Sequence, residues 1–198
     1  AKDTPVVWFL ASEAAFLRAE GAMLGWEMGG DDESFYKAGI ELSFLEHGLT
    51  AAAAAAYAQS TAEPQAFEDA SAASTKYNAS KPSSVTPKWN AGAGDEEKLE
   101  RIITQKWIAV FPLSTEAWAE YRRTGYPKLF QVKQNASNGV ISTELGPRRL
   151  PYSDTEINAN TAEYNKGVEL LNSEASGGTS GDNAGTRLWW DRADKGNF

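Results

Sequence analysis

Hydrophobic residues recur at helical spacing along most of this chain. Leu10, Ala14, Leu17, Gly21 and Leu24 form one stripe, and Phe9, Phe16 and Met23 a second. Two apolar faces predict a helix over about residues 10–25 that packs on both sides. Gly25 and MGGD (28–31) break the pattern. Asp32 or Ser34 then opens a second helix, with Phe35, Tyr36, Ile40, Phe44 and Leu45 recurring at helical spacing before Gly48. Ala19, Ala22 and Gly25 precede the turn. Small residues there let the second helix approach closely, the logic of a tetratricopeptide-like hairpin, although the full repeat consensus is absent.

AAAAAAYAQS (51–60) predicts a short helix from the propensity of alanine. The clearest helix runs from about Asp95 to Phe111, with Leu99, Ile102, Ile103, Trp107, Val110 and Phe111 as a wide apolar stripe and Glu97–Arg101 as an i, i+4 pair. Pro112 stops it. EAWAEYRRTGYPKL (116–129) follows as a second helix, with Ser114 or Thr115 as N-cap and Trp118, Tyr121 and Arg122 on one face. Arg122 and Arg123 lie in its last turn, Gly125 fits a left-handed C-terminal position, and Pro127 blocks continuation. Residues 5–9, PVVWF, read as an extended lead-in, and VIST (140–143) and RRLPY (148–152) as short extended pieces. Ser153 or Asp154 caps one or two helices reaching about Leu171, with Tyr164, Val168 and Leu171 as the apolar face. NSEASGGTSGDNAG (172–185) is a loop by composition, and Trp189 and Trp190 are expected to dock back on the body. The fold class is mainly α, built of helical hairpins of tetratricopeptide-like type with long loops and few short strands, in a single domain over 1–198.

Composition narrows the function. The 198 residues are 41% hydrophobic and 23% charged, as in a globular chain with a real core. A formal charge of −8 argues against a nucleic-acid phosphate backbone as partner. With no cysteine there is no thiolate site, and the single His47 makes a His-rich metal centre or a His-based triad improbable. No apolar run is long enough to span a membrane. The chain opens at AKDTPVVW without Met, basic n-region or apolar h-region, so the expectation is a processed N-terminus or a piece of a longer protein.

The candidate chemistry is aromatic. Trp8, Trp107 and Trp118 lie on or beside apolar stripes and are expected in the core; Trp26 is expected in the core or a docking contact. Residues 61–94 form a connection too long to be a mere link, and they hold Tyr77, Asn78, Trp89 and Asn90. An indole face packs on the C–H face of a pyranose and amides bond its hydroxyls, so these four are the candidate glycan contacts. The bland alternative is that Trp89 anchors its own loop. Arg122 and Arg123 can clamp an anionic sugar; equally, they can bond helix-end carbonyls, pair with Glu120, or stack on Trp118 and Tyr126. Glu96, Glu97, Glu100, Glu116 and Glu120 invite a glycosidase reading, but their spacing is that of solvated helix faces and nothing singles out a pair. GDD (30–32) and SGDN (180–183) are oxygen-rich without EF-hand spacing, which leaves a bound calcium ion open, and no cofactor is expected.

RAEGAMLGWEMGG, YKAGIELSF, LERIITQKWIAVFP, EAWAEYRRTGYPKL, RRLPYSDTEINAN and TRLWWD occur in that order. This set resembles the C-terminal part of the SusD/RagB family of bacterial surface nutrient-binding lipoproteins, over nearly the whole chain. The resemblance implies a non-enzymatic, α-helical glycan-binding protein at the outer-membrane surface. Its partners would be an oligosaccharide or polysaccharide and a SusC-like TonB-dependent transporter. Trp107, Trp118, Arg122, Arg123, Gly125, Trp189 and Trp190 would then serve the family's architecture. Family members are more than twice as long and begin with a lipoprotein signal, so this chain looks like a C-terminal fragment, peripheral through an N-terminal lipid in the full-length protein. A helical protein-interaction scaffold is the rival reading, and a helical glycoside hydrolase a weaker third.

Overall fold

The structure, a computed structural model, describes residues 7–71, 75–174, 180–191 and 196–197. The start of the expected lead-in at Pro5 and Val6 and the middle of the expected 172–185 loop lie outside them. Among the described residues there are seven helices: α1 (Ala11–Met23), α2 (Asp32–Glu46), α3 (Ala51–Tyr57), α4 (Asp95–Ala109), α5 (Ser114–Thr124), α6 (Asp154–Ala159) and α7 (Thr161–Glu174). The stretches VIST and RRLPY form no strand. Pairing among the described residues is limited to two isolated antiparallel bridges, Phe67 with Ala79 and Ser142 with Gly146. Four- and five-residue runs flanked by Gly and Pro have no neighbouring strand to satisfy their backbone groups, so they turn instead. The described residues group into two compact units, one within 1–66 and 80–129 and the other within 67–79 and 130–198.

The first unit is built on the α1–α2 hairpin. Asp31 caps α2, its carboxylate accepting from the Ser34 N–H at 2.8 Å and the Ser34 hydroxyl at 2.7 Å. These bonds hold the Asp31 carboxyl below its ordinary range. The hairpin closes tightly because Gly39 sits under the Phe16 ring; a Cβ at Gly39 would lie 2.7 Å from it. Phe16, Ala19, Tyr36, Ile40, Trp89, Leu99, Ile102 and Ile103 form the core, all below a tenth exposed. Thr50 caps α3 through the Ala53 N–H. At the far end of α5, Gly125 has φ +75°, the left-handed C-terminal position the sequence requires, and its N–H bonds the Tyr121 carbonyl. The expected Ser114 or Thr115 cap is not formed. Leu113 occupies the N-cap position and Ser114 is already helical, because Pro112 and Leu113 make the turn.

The buried face of α4 runs through Leu99, Ile102, Ile103, Lys106 and Val110, each at 2% exposure or less. Trp107 and Phe111 flank this face rather than lie on it, at 36% and 73% exposure. The expectation that Trp107 is core is therefore corrected. A wide apolar stripe covers more of the helix circumference than one packing partner can bury. Trp8, ahead of the first turn of α1, is corrected likewise at 90% exposure, and Trp26 is exposed too. Trp118 is half-buried.

The second unit has a polar interior. Arg148 donates its Nε to Asp191 Oδ2 at 2.7 Å and its Nη2 to Oδ1, and Arg187 Nη1 meets the same Oδ1 at 2.6 Å. Arg149 Nη1 donates to Asp182 at 2.6 Å, and Asp182 also accepts from the Tyr152 N–H. The Ala184 carbonyl accepts from the amides of Arg148 and Arg149. Tyr152 meets Tyr164 of α7 edge-on at 5.6 Å, over Gly167, where a Cβ would lie 2.8 Å from the Tyr152 hydroxyl. Trp189 and Trp190 remain 69% and 39% exposed. Asp191 is tied down by Arg148 and Arg187, and Trp189 lines a small pocket with Tyr152, Gly167, Leu170 and Leu171.

Candidate functional site

The four sequence-nominated contacts fall two in each unit. Trp89 and Asn90 belong to the first unit, Tyr77 and Asn78 to the second. Trp89 is a core residue at 7% exposure, its ring 4.9 Å from the Tyr36 ring with Lys98 over it at 5.6 Å. Tyr36 in turn donates its hydroxyl to the Pro87 carbonyl at 2.7 Å. Trp89 therefore anchors the long connection, because a loop of that length needs apolar contacts of its own. It offers no open face to a sugar. Asn90 is exposed; its Oδ1 accepts from the Gly92 N–H and its Nδ2 donates to Glu97. Tyr77 is 40% exposed and donates its hydroxyl to Gln134 at 2.8 Å, with Lys76 over its ring. Asn78 accepts from the Asp69 N–H.

Both arginines at the end of α5 are engaged by side chains of this chain. The Arg122 guanidinium stacks 3.7 Å from the Trp118 ring centroid. Arg123 donates to Glu120 at 2.6 Å and, with two further N–H groups, to Glu20 of α1 at 2.6 and 2.8 Å. Beneath it lies a charge cluster that periodicity did not reveal. Lys106, 1% exposed, donates to Glu120 at 2.6 Å and Glu116 at 2.9 Å, with Glu13 of α1 at 3.3 Å. Burial raises the Glu13 carboxyl above its ordinary value despite Lys106 beside it. Burial opposes charge on Lys106, but Glu120 and Glu116 more than offset it and the ammonium is raised. The Glu116 carboxyl is lowered, since its bond and attraction to Lys106 outweigh burial.

This cluster holds α4 and α5 at the spacing that opens a cleft between them. Trp107, Ile108 and Phe111, the Pro112–Leu113 turn, and Ala117, Trp118 and Tyr121 enclose about 470 Å³, closed off by Leu129. The walls are nearly all carbon, and Ile108 and Phe111 are open to solvent. Such a surface binds an apolar face; a sugar also needs partners for its hydroxyls. In the sequence this surface shows as the outer half of the α4 stripe, which periodicity alone places with the core. No group of three or more His, Cys, Asp or Glu among the described residues is arranged to hold a metal ion. No helix among them is long and apolar enough to cross a membrane.

A family model described as SusD-like, SusD and RagB outer-membrane lipoprotein, matches residues 1–191. Among solved structures, a SusD homologue from Bacteroides thetaiotaomicron is 46% identical, with a TM-score of 0.86 over 97% of this chain and 40% of its own. A chitin-binding SusD homologue from Flavobacterium johnsoniae is also 46% identical, with a TM-score of 0.80 over 95% of this chain and 37% of its own. A SusD homologue from Bacteroides ovatus is 43% identical, with a TM-score of 0.83 over 94% and 38%. No curated protein matches. The chain spans about 40% of the length of the first of these relatives. On the motif order, the helical pairs and these likenesses together, the chain belongs to the SusD/RagB family of outer-membrane lipoproteins.

Proposed function

We propose that this chain is the C-terminal portion of a non-catalytic glycan-binding component of an outer-membrane nutrient uptake complex. In the full-length protein it would be held at the cell surface by an N-terminal lipid and deliver oligosaccharide to a SusC-like TonB-dependent transporter. The observation that carries the reading is the 46% identity, over 95% of this chain, to a homologue that binds chitin. The carboxylates support a binding rather than a hydrolytic role. Glycosidases need two carboxyls free to flank a scissile bond. Here Glu96 accepts from Tyr126, Glu97 from Arg101, Glu100 from Ser83, and Glu116 and Glu120 from Lys106. Tyr77 and Asn90 are the nominated residues that remain open to a ligand, with Asn78 beside Tyr77; Trp89 contributes by fixing its loop.

The second reading, a protein-interaction scaffold, is favoured by the carbon-lined cleft of Trp107, Phe111 and Trp118. Calorimetric titration with neutral oligosaccharides, chito-oligosaccharides included, tests the first. Saturable binding with the oligosaccharide recovered intact is expected. Absence of any binding, with a protein partner retained through the cleft, would favour the scaffold; cleavage of the oligosaccharide would make the protein a hydrolase.

A further inference from the structure

A second cleft in the first unit has different chemistry. It lies between Tyr57 at the end of α3, the 60–64 segment, residues 85–87, and the face of α4 that carries Arg101, Thr104, Gln105 and Ile108. Those four residues are spaced i, i+3, i+4 and i+7, so one helix face supplies a whole wall. We propose that this cleft is a subsite for one neutral pyranose ring.

Four observations point to that ligand. The first is size. The cleft encloses about 270 Å³, just under the ~300–1,000 Å³ of sites for drug-sized ligands, so it suits one ring and not a chain of them.

The second is an unmet polar group. Gln105 is only 7% exposed, and among the described residues its carboxamide makes no hydrogen bond. The amide is not sealed from water, since among the described residues it is not one of the fully buried polar atoms that lack a hydrogen-bond partner; it reaches solvent, where a ligand hydroxyl can take the place of water. Tyr57 and Thr104 line the same cleft, and their hydroxyls likewise have no protein partner among the described residues. An amide and two hydroxyls both donate and accept, as sugar hydroxyls do.

The third is charge. Arg101 would attract an anion, but its Nη1 is paired with Glu97 at 3.1 Å and its Nε donates to the Thr86 carbonyl at 3.0 Å. Glu63, at the other wall, is paired with Lys81. Both charges are compensated, so the site favours a neutral guest.

The fourth is order. The Tyr57 ring is fixed against Phe44 at 5.4 Å. Ser60 accepts from the Ala62 and Lys88 amides, and Pro87 is held by the Tyr36 hydroxyl. The walls are therefore set before a ligand arrives, which lowers the cost of binding. The flanks of Tyr57, Pro64 and Ile108 supply the apolar surface that a pyranose ring needs. Ile108 is also a wall of the aromatic cleft, so the two clefts share one side chain.

The proposal rests on the glycan reading, and one experiment separates their failures. Isotope-labelled protein is titrated with glucose, with N-acetylglucosamine and with chito-oligosaccharides, following the Gln105 side-chain amide and the Thr104 backbone amide by NMR. At least one monosaccharide is expected to move both signals saturably. Gln105→Met, close to isosteric, is expected to weaken that binding by about tenfold, the worth of a hydrogen bond to a buried group, with the melting curve unchanged. Thr104→Val is the parallel variant if Gln105→Met does not fold. Oligosaccharide binding that leaves both signals still overturns this subsite and spares the wider reading. Monosaccharide shifts without oligosaccharide binding keep the subsite and remove the wider reading. Silence from every probe overturns both.

Discussion

Arg123 holds Glu20 through two parallel hydrogen bonds of 2.6 and 2.8 Å, spanning 103 residues of sequence. The pair joins α5 to α1 through charged side chains. Its fork geometry is specific to arginine, since an ammonium cannot present two parallel donors to both carboxylate oxygens. Burial opposes the charge, but Glu20 and Glu120 more than offset it and hold the guanidinium firmly ionised. Arg123→Lys is expected to destabilise the chain by about 0.5–1 kcal/mol, a figure kept small because the Arg side chain is 44% exposed. A double-mutant cycle with Glu20→Gln, read by urea unfolding, checks it. Additive losses would mean the pair is uncoupled.

Lys106 predicts a larger and pH-dependent effect. It is 1% exposed between Glu13, Glu116 and Glu120. Lys106→Met leaves the buried Glu13 carboxyl without its cation, while Glu120 keeps Arg123 and Glu116 reaches water, at a cost of about 3 kcal/mol near neutral pH. The wild-type linkages oppose each other. Glu13, raised in the folded state, contributes stability below the ordinary carboxylate value that is lost as pH rises through its raised value. Glu116, lowered, contributes stability above the ordinary value that is lost as pH falls through its lowered value. Lys106, raised, contributes stability that is lost only as pH rises through its raised value. Removing the cation shifts both carboxyls upward, so the variant's deficit is expected to shrink on acidification through the carboxylate range. Urea curves of both proteins at neutral and acid pH decide it; an equal deficit at both would remove the carboxylates from the explanation.

These clusters also mark where the sequence stopped being legible. Helix positions, the left-handed Gly125 and the hairpin nature of α1–α2 follow from spacing, because periodicity and turn chemistry are local. The burial of Lys106 is not local. A lysine on an apolar stripe reads as solvated until its three carboxylates, from two other helices, are brought around it. The same limit explains Trp89 and Trp107. Each tryptophan's fate depends on whether a distant element covers it, and Tyr36 covers the first while Trp107 stays on the flank of its helix. Gln105 carries no sequence signal, because a polar residue on a helix flank is ordinary until the 60–64 and 85–87 segments wall it in.

Gly39 offers a test of the hairpin. Alanine has the better helix propensity by about 1 kcal/mol, so Gly39→Ala would stabilise an isolated α2. In the folded chain the added Cβ would lie 2.7 Å from the Phe16 ring, within the core. Overpacking of this kind costs about 1–3 kcal/mol and should reverse the sign. Phe16→Leu, which withdraws the ring, is expected to make Gly39→Ala less harmful than in the wild type. Thermal unfolding of the four proteins in this cycle is the measurement, and a stabilised Gly39→Ala would show that the helices are not in close contact there.

The two tryptophans make the sharpest contrast. Trp89 sits in the 61–94 connection, outside any helix, yet it is 7% exposed and packed on Tyr36 and beside Lys98. Trp107 lies on α4, on a strongly periodic apolar stripe, and is 36% exposed in the aromatic cleft. Propensity would rank them the other way. Trp89→Ala removes a buried ring and leaves a void under the connection, so a loss of about 3–5 kcal/mol is expected. Trp107→Ala removes a ring with one side already in water, and its loss should be clearly smaller. Binding should separate them further. If the aromatic cleft holds a protein partner, Trp107→Ala weakens that association while Trp89→Ala, measured under conditions where it stays folded, does not. Chemical denaturation of both variants, followed by partner capture with each, reads the two quantities independently. A Trp107→Ala variant as unstable as Trp89→Ala would return that ring to the core and leave the cleft without its principal wall.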